Sequence, residues 1–299
     1  MTSAADAPAA PRRTRPFYWS VRRELWEHRA IWIAPLAVAA VALFGFLIGT
    51  HHLPQVVRLA ATRAGAATGA ETIVIPYYFI AFAVVMTGLI VAVFYCLGAL
   101  HNERRDRSVL FWKSLPVSDL TTVLSKAAVP ILLLPPIQFA VILGAHVVMA
   151  AFSSLVVTAA GLDPNLLWAH TPVPLLWLKL AGGLPFIALW YAPLYAWLIL
   201  VSVWARRAPF LWALAPPLVL ALVEQLALGT HVVWSWLTLR MIGIFSGAFN
   251  AGEHAKAAVH HTHELDAASW GSPHLWIGLA IAAALLAAAV RLRRSRDPI

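Results

Sequence analysis

The chain has 299 residues, 61% of them hydrophobic and only 12% charged, with a mean hydropathy of +0.76. Soluble domains carry about a quarter charged residues, so half that charge, together with long apolar runs, excludes an ordinary soluble protein and implies helices embedded in a bilayer. The net charge of +9 would point to nucleic acid in a soluble protein; here it reads as arginine-rich loops on one membrane face, with no nucleic-acid partner, and the single Cys96 excludes an intramolecular disulfide.

Residues 1–16, MTSAADAPAAPRRTRP, are Ala, Pro and Arg without periodicity and read as a disordered cytoplasmic tail. The next stretch, FYWSVRRELWEHRAIW, keeps Phe17, Val21, Leu25 and Trp32 at near-helical spacing, with Arg22, Arg23, Glu24, Glu27 and Arg29 as the polar positions. That pattern predicts an amphipathic helix on the inner membrane face, with Trp19, Trp26 and Trp32 at headgroup level. The competing reading is a helix that simply extends the first span into the cytoplasm.

Six apolar segments follow: Ile31–Ile48, Ile73–Leu100, Val123–Ala151, Leu175–Trp204, Pro209–Leu228 and His274–Val290. Each is compatible with the roughly 20 residues needed to cross the hydrocarbon, and the second to fourth are long enough to tilt or project beyond it. The fold class expected is therefore all-α, a single membrane domain over 17–290 with a basic cytoplasmic tail at 291–299. The first apolar run is too long for a signal-peptide core and is read as a retained span.

Lys and Arg fix the expected orientation. With the N-terminus inside, seventeen of the 22 face the cytoplasm. Arg12, Arg13, Arg15, Arg22, Arg23 and Arg29 precede the first span. Arg104, Arg105, Arg107, Lys113 and Lys126 lie between spans two and three. Arg206 and Arg207 join spans four and five, and Arg291, Arg293, Arg294 and Arg296 end the chain. Both termini are thus expected inside. The segment Val232–Phe249 is apolar enough for a seventh span, but that would export RLRRSR and put Arg240 in hydrocarbon at a cost of a few kcal/mol. It is read as an interfacial or re-entrant helix on the outer face.

The most charged stretch is ERRDRSVLFWKSLPVSD, Glu103–Asp119. Val109, Leu110, Phe111 and Trp112 suit a short helix with one apolar side, Pro116 stops it, and Ser118 or Asp119 can cap the helix that re-enters the membrane. A charged rim around an aromatic centre suits docking to a soluble partner; it equally suits a basic loop resting on anionic lipid.

This string, with the following LTTVLSK, resembles the cytoplasmic loop of the permease subunits of ABC-2-type exporters of bacteria. The likeness extends more weakly over the whole chain: an N-terminal elbow helix, six spans and a large outer segment between spans five and six. The resemblance implies a permease in the bacterial inner membrane, paired with an identical or related permease, that docks separate ATP-binding subunits carrying ATP and Mg. The loop would be a coupling helix, with Arg104, Arg105, Asp106, Arg107, Phe111, Trp112, Lys113 and Leu115 as the docking residues. Arg22, Arg23, Glu24 and Trp26 of the elbow would form a second contact. The chain has no G-x-x-x-x-G-K-[ST] phosphate-binding loop, so no cofactor is expected in it and the ATP chemistry would belong to another chain. The alternatives are an intramembrane enzyme and a membrane scaffold that docks a cytoplasmic partner.

Polar residues within the spans are the remaining candidates. Glu224 and Gln225 in span five, and Gln138 and His146 in span three, could line a substrate path, or could be helix-packing hydrogen bonds. Pro135–Pro136 and Pro216–Pro217 sit in similar settings, as paired helix breaks at a transport site would, although proline is tolerated in membrane helices anyway. The histidine-rich EHAKAAVHHTHELD, Glu253–Asp266, lacks H-E-x-x-H and reads as a solvated outer loop rather than a metal site.

Overall fold

The computed structural model describes residues 15–62, 66–106, 117–168, 173–242 and 270–295. The described secondary structure is helical throughout, and six helices are long and apolar enough to cross a membrane, so the chain is a multi-pass membrane protein.

Helix α1 (Pro16–Glu27) begins with Pro16 in its first turn, where the missing N–H has no intrahelical partner to lose. It is a separate helix, divided by His28 and Arg29 from α2 (Ala30–Gly49). α2 continues through a 3₁₀ turn (Thr50–His52) into α3 (Leu53–Ala60). α4 (Ala66–Gly98) is followed by the short α5 (His101–Arg105). α6 (Asp119–Ala128) runs through a π turn (Val129–Leu133) into α7 (Leu134–Ala159). The prolines account for that turn: Pro135 and Pro136 offer no N–H, and a wider turn accommodates the freed carbonyls. Ser118 caps α6, its hydroxyl accepting from the Thr121 amide at 3.1 Å. Asp119, in the first turn, is free to pair elsewhere.

The remaining helices are α8 (Asn165–Trp168), α9 (Val173–Trp190), α10 (Ala192–Trp204), α11 (Pro209–Leu228), α12 (Val232–Ile242) and α13 (Pro273–Ser295). Gly161 and Gly229, at φ +71° and +64°, end α7 and α11 in the left-handed conformation that a Cβ disfavours. The fourth apolar segment is not one rod. It breaks at Tyr191, where Pro193 in the next turn removes a ladder donor. The first and third spans are longer than the apolar segments suggest, at 31 and 41 residues. At a rise of 1.5 Å they reach about 46 and 60 Å, well past a hydrocarbon core of about 30 Å.

Two buried clusters hold the bundle. One gathers Tyr95 and Cys96 of α4, Val123 of α6, Ile199 and Val201 of α10 and Ala289 of α13. The other gathers Tyr77 and Val84 of α4, Ile142 and Met149 of α7 and Leu176 of α9. α1, α5, the start of α6 and the end of α13 meet at one end, called here the basic end. α3, the end of α7 and α8 lie at the distal end.

Candidate coupling site at the basic end

A buried ion network closes the basic end. Glu24 of α1 is fully buried, and its Oε1 lies 3.0 Å from Lys126 Nζ and 2.9 Å from Arg23 Nη2. The Tyr95 hydroxyl of α4 donates to Oε2 at 2.8 Å. Glu103 of α5 holds the same two cations, at 3.0 Å from Lys126 Nζ and 3.3 Å from Arg23 Nη2. It also lies 3.7 Å from Arg293 of α13. Arg293 in turn is 3.1 Å from Asp119, at the start of α6. Three cations thus face three carboxylates at the centre, drawn from α1, α5, α6 and α13, with Glu27 3.5 Å from Arg23 and Arg294 4.0 Å from Asp119 at the edges. Burial alone pushes the Glu24 carboxyl up; the Lys126 ammonium and the bonds from Lys126, Arg23 and Tyr95 outweigh it and bring it down to about 2.

Geometry explains why the network sits there. Lys126 is 1% exposed, one turn before the π segment, and an ammonium at that depth requires anionic partners within reach. α1 supplies one only because it folds back against α6 instead of continuing away from α2. Glu27 and His28 bring their donor atoms, with those of Glu24, within 4.8 Å of one another. A divalent cation there would nevertheless meet the Lys126 and Arg23 charges already on Glu24.

The network lies at the root of the charged loop. Of the expected docking residues, Arg107, Phe111, Trp112, Lys113 and Leu115 lie outside the described residues. Arg104 is buried and donates through Nη1 to the Val203 carbonyl, and His101 Nδ1 lies 3.1 Å from the Ala205 carbonyl. Both side chains therefore cap the C-terminus of α10, where donors and positive charge are favoured. Arg105 and Asp106 are exposed and pair with each other at 3.1 Å. On α1, Glu24 and Arg23 turn inward into the network. Arg22 faces out, stacked between Trp19 and Trp26 with its guanidinium carbon 5.3 and 4.6 Å from the two rings.

The four polar residues of the apolar segments occupy separate places. Gln138 donates to the Val84 and Val85 carbonyls at 3.2 Å, against Gly88, where an added Cβ would stand 2.0 Å from its Nε2. His146 accepts at Nδ1 from the Trp177 indole N–H at 3.2 Å, so its Nε2 carries the proton it shares with the Tyr77 carbonyl at 3.0 Å. These two side chains fasten α7 to α4 and α9. Glu224 accepts from the Val232 and Val233 amides, both at 2.7 Å, and from the Thr230 hydroxyl at 2.6 Å. It caps the start of α12 from the helix before. Gln225 is exposed.

α12 then runs back along α11, placing Arg240 at the break between α9 and α10. Arg240 is 4% exposed. It donates to the Trp190 carbonyl at 2.9 Å and to the His274 carbonyl. Its guanidinium carbon sits 4.4 Å from the Trp190 ring and 5.5 Å from Trp236. Trp190 lies about 21 Å along the helices from Trp204, so α12 is fastened to the bundle at the α9–α10 break. Residues 243–249 of that expected helix, and the histidine-rich segment, lie outside the described residues.

Sequence reasoning missed Glu103, Asp119, Lys126, Arg293 and Tyr95 as parts of one site. A signal existed: Lys126 stands in LTTVLSKAAVPILL, and a lone ionisable group beside an apolar run demands a partner. Comparison with known proteins returned no match to any protein-family model, curated protein or solved structure.

Proposed function

We propose that this chain is the membrane permease subunit of an ATP-driven exporter of the ABC-2 type. It would lie in a bacterial inner membrane with both termini cytoplasmic, pair with an identical or related permease, and dock separate ATP-binding subunits. Those partners would hold ATP and Mg; this chain would contribute the substrate path and the coupling surface, and would not itself be an enzyme.

The observation that carries the reading is the ion network at the root of the loop 103–119. A loop that only touched lipid would need no rigid connection to the spans. Here Glu103 at one end of the loop and Asp119 at the other are both tied, through Lys126, Arg23 and Arg293, to α1 and α13. His101 and Arg104 add a direct bond to the end of α10. A push on the loop from a partner would therefore be delivered to four helices at once. Arg105, Asp106, Arg107, Phe111, Trp112, Lys113 and Leu115 are the residues assigned to the partner. Trp112 and Phe111 would be the apolar anchors and the arginines the rim.

The test is a pull-down of the tagged chain from its native membranes in mild detergent, with and without ATP. An ATP-binding subunit should co-elute in stoichiometric amount, and Trp112→Ala should weaken its binding by about ten-fold or more, as hot-spot truncations do. Arg105→Gln and Arg107→Gln should mainly change association rate and salt dependence. A chain that elutes alone from membranes containing its natural partners defeats the proposal.

A further inference from the structure

A crevice of about 660 Å³ runs between α2 and α4 toward the distal end, within the roughly 300–1,000 Å³ range of small-molecule sites. Its floor is made by two glycines one turn apart, Gly45 and Gly49; a Cβ built on either meets nothing within 4 Å. The walls are apolar: Val41, Phe46, Ile75, Phe79 and Ile80. Polar groups collect at one end, at Thr50, His52 and Thr72, and on the inner wall at Tyr77 and Ser153. The Tyr77 side chain is 2% exposed, yet its hydroxyl, beside Ser153, has no hydrogen bond of ordinary geometry. The segment above that end, residues 50–60, carries His51, His52 and Arg58 and no carboxylate; of these three, His52 lines the crevice itself.

We propose that this crevice binds one acyl chain of a glycerophospholipid from the distal leaflet, with the phosphate-bearing head at the Thr50–Arg58 segment. That leaflet is the outer one in the orientation proposed above, but the inference does not rest on the exporter reading. Three features select this occupant. From Val41 to Thr50 the helix rises about 14 Å, close to half of a hydrocarbon core of about 30 Å, so the crevice is as deep as one leaflet's chains are long. Its polar groups lie at the end where that leaflet's headgroups lie, and the segment above that end carries one formal positive charge, Arg58, and no carboxylate to repel a phosphate. Finally, α2 and α4 are in direct contact along it, leaving a cleft for a chain of methylenes, not for a neighbouring helix about 10–12 Å across. Glycines at 45 and 49 are what keep it open, since any larger side chain there would project into the space.

The experiment uses the purified full chain in nanodiscs doped with a phosphatidylethanolamine carrying a diazirine near the end of one acyl chain. After irradiation, mass spectrometry compares adducts on peptides containing 41–56 and 72–80 with those on the exposed face of α11. The groove adducts should saturate and be competed by unlabelled phosphatidylethanolamine, while adducts on α11 follow lipid concentration in proportion. Gly45→Leu and Gly49→Leu should cut the groove-to-α11 ratio about ten-fold, the equivalent of 1.4 kcal/mol of binding. Gly144→Leu, at a glycine with equally open space but outside the crevice, should leave it unchanged. Groove labelling that never saturates, or that the two leucines do not lower, overturns the proposal. So does a ready disulfide between two copies of a Gly45→Cys variant, which would give the crevice to a second chain. The competition measurement needs no variant, so misfolding of a leucine variant cannot rescue the idea.

Discussion

Two buried cations, Lys126 near one end of the bundle and Arg240 near the other, are neutralised in different ways. Lys126 sits between two carboxylates, 3.0 Å from each, in a network where positive and negative charges balance. Among the described residues Arg240 has no carboxylate partner; two backbone carbonyls and two indole faces take its place. The residue types suit the two solutions. An ammonium is a compact, strongly hydrated charge that needs counter-charge when buried. A guanidinium is planar and weakly hydrated, and can be held by a carbonyl fork and stacking. The network depends on every member, whereas the Arg240 site depends on shape.

The comparison predicts unequal costs of removal. Lys126→Met takes from Glu24 and Glu103 one of the two cations they share, leaving only Arg23 between them, and leaving buried charge short of its partner in this way costs up to about 3–5 kcal/mol. The detergent-solubilised protein should lose much of its thermal stability. The double variant Lys126→Met with Glu24→Gln should recover part of the loss, because it removes a stranded charge along with the cation. Equal stabilities for the single and double variants would mean that the network is not coupled. Arg240→Met strands no charge. It deprives the Trp190 and His274 carbonyls of donors and removes the stacking, a smaller loss of about 1–3 kcal/mol. Arg240→Lys should do little better than Met, since an ammonium cannot reproduce the fork. A loss larger than that of Lys126→Met would show that Arg240 neutralises a carboxylate after all.

The contrast also marks what the sequence discloses. Apolar runs are a local quantity, and they yielded six spans and a helix beginning at Val232; of the two caps that the sequence offered, Ser118 and Asp119, Ser118 is the one formed. The break at Tyr191 did not show in the apolar run Leu175–Trp204: Pro193 stands there, but proline is common in membrane helices, and the Arg240 bond to the Trp190 carbonyl, which ties α12 to the break, is visible only in the fold. The network was not legible because it is made of long-range pairs. Glu24 and Lys126 are 102 residues apart in sequence, and nothing near either one names the other. For the same reason Glu24 looked like a surface contact of an amphipathic helix, whereas it is the helix's buried anchor. Gln138 and His146 were legible as unusual residues, but they bond to the backbone carbonyls of Val84, Val85 and Tyr77, which carry no sequence signature, and His146 also to the indole of Trp177 on another helix.

Gly88 and Gln138 give a smaller and cleaner probe, between the two charged sites. A Cβ at position 88 would stand 2.0 Å from Gln138 Nε2 and 2.7 Å from its Cδ, so Gly88→Ala must displace the amide from the Val84 and Val85 carbonyls. Overpacking of this kind costs about 1–3 kcal/mol. In a Gln138→Ala background the same Gly88→Ala change should cost nothing or stabilise slightly, because alanine favours the helix. Thermal unfolding of the four proteins in the cycle measures the coupling. Additive effects would mean that the close approach does not hold α4 to α7.

The smallest effect is expected from pH between 5 and 8, and its sign follows from Glu24. Its folded value of about 2 lies below its ordinary value of 4.5. Its contribution to stability is therefore complete above about pH 4.5 and is lost as pH falls from there toward 2. Glu24 alone should leave the melting temperature flat between pH 5 and 8, with the decline starting only in more acidic buffer. Glu24→Gln should remove that acid limb. The groups around Glu24 are Arg23, Tyr95, Lys126 and His28, whose Nδ1 is 3.6 Å from Oε2. His28→Gln, which removes the imidazole beside Oε2, is the control for that neighbour. A slope between pH 5 and 8 that survives His28→Gln and vanishes in Glu24→Gln would mean that Glu24 itself titrates there, so that burial outweighs Lys126 and the contrast with Arg240 collapses.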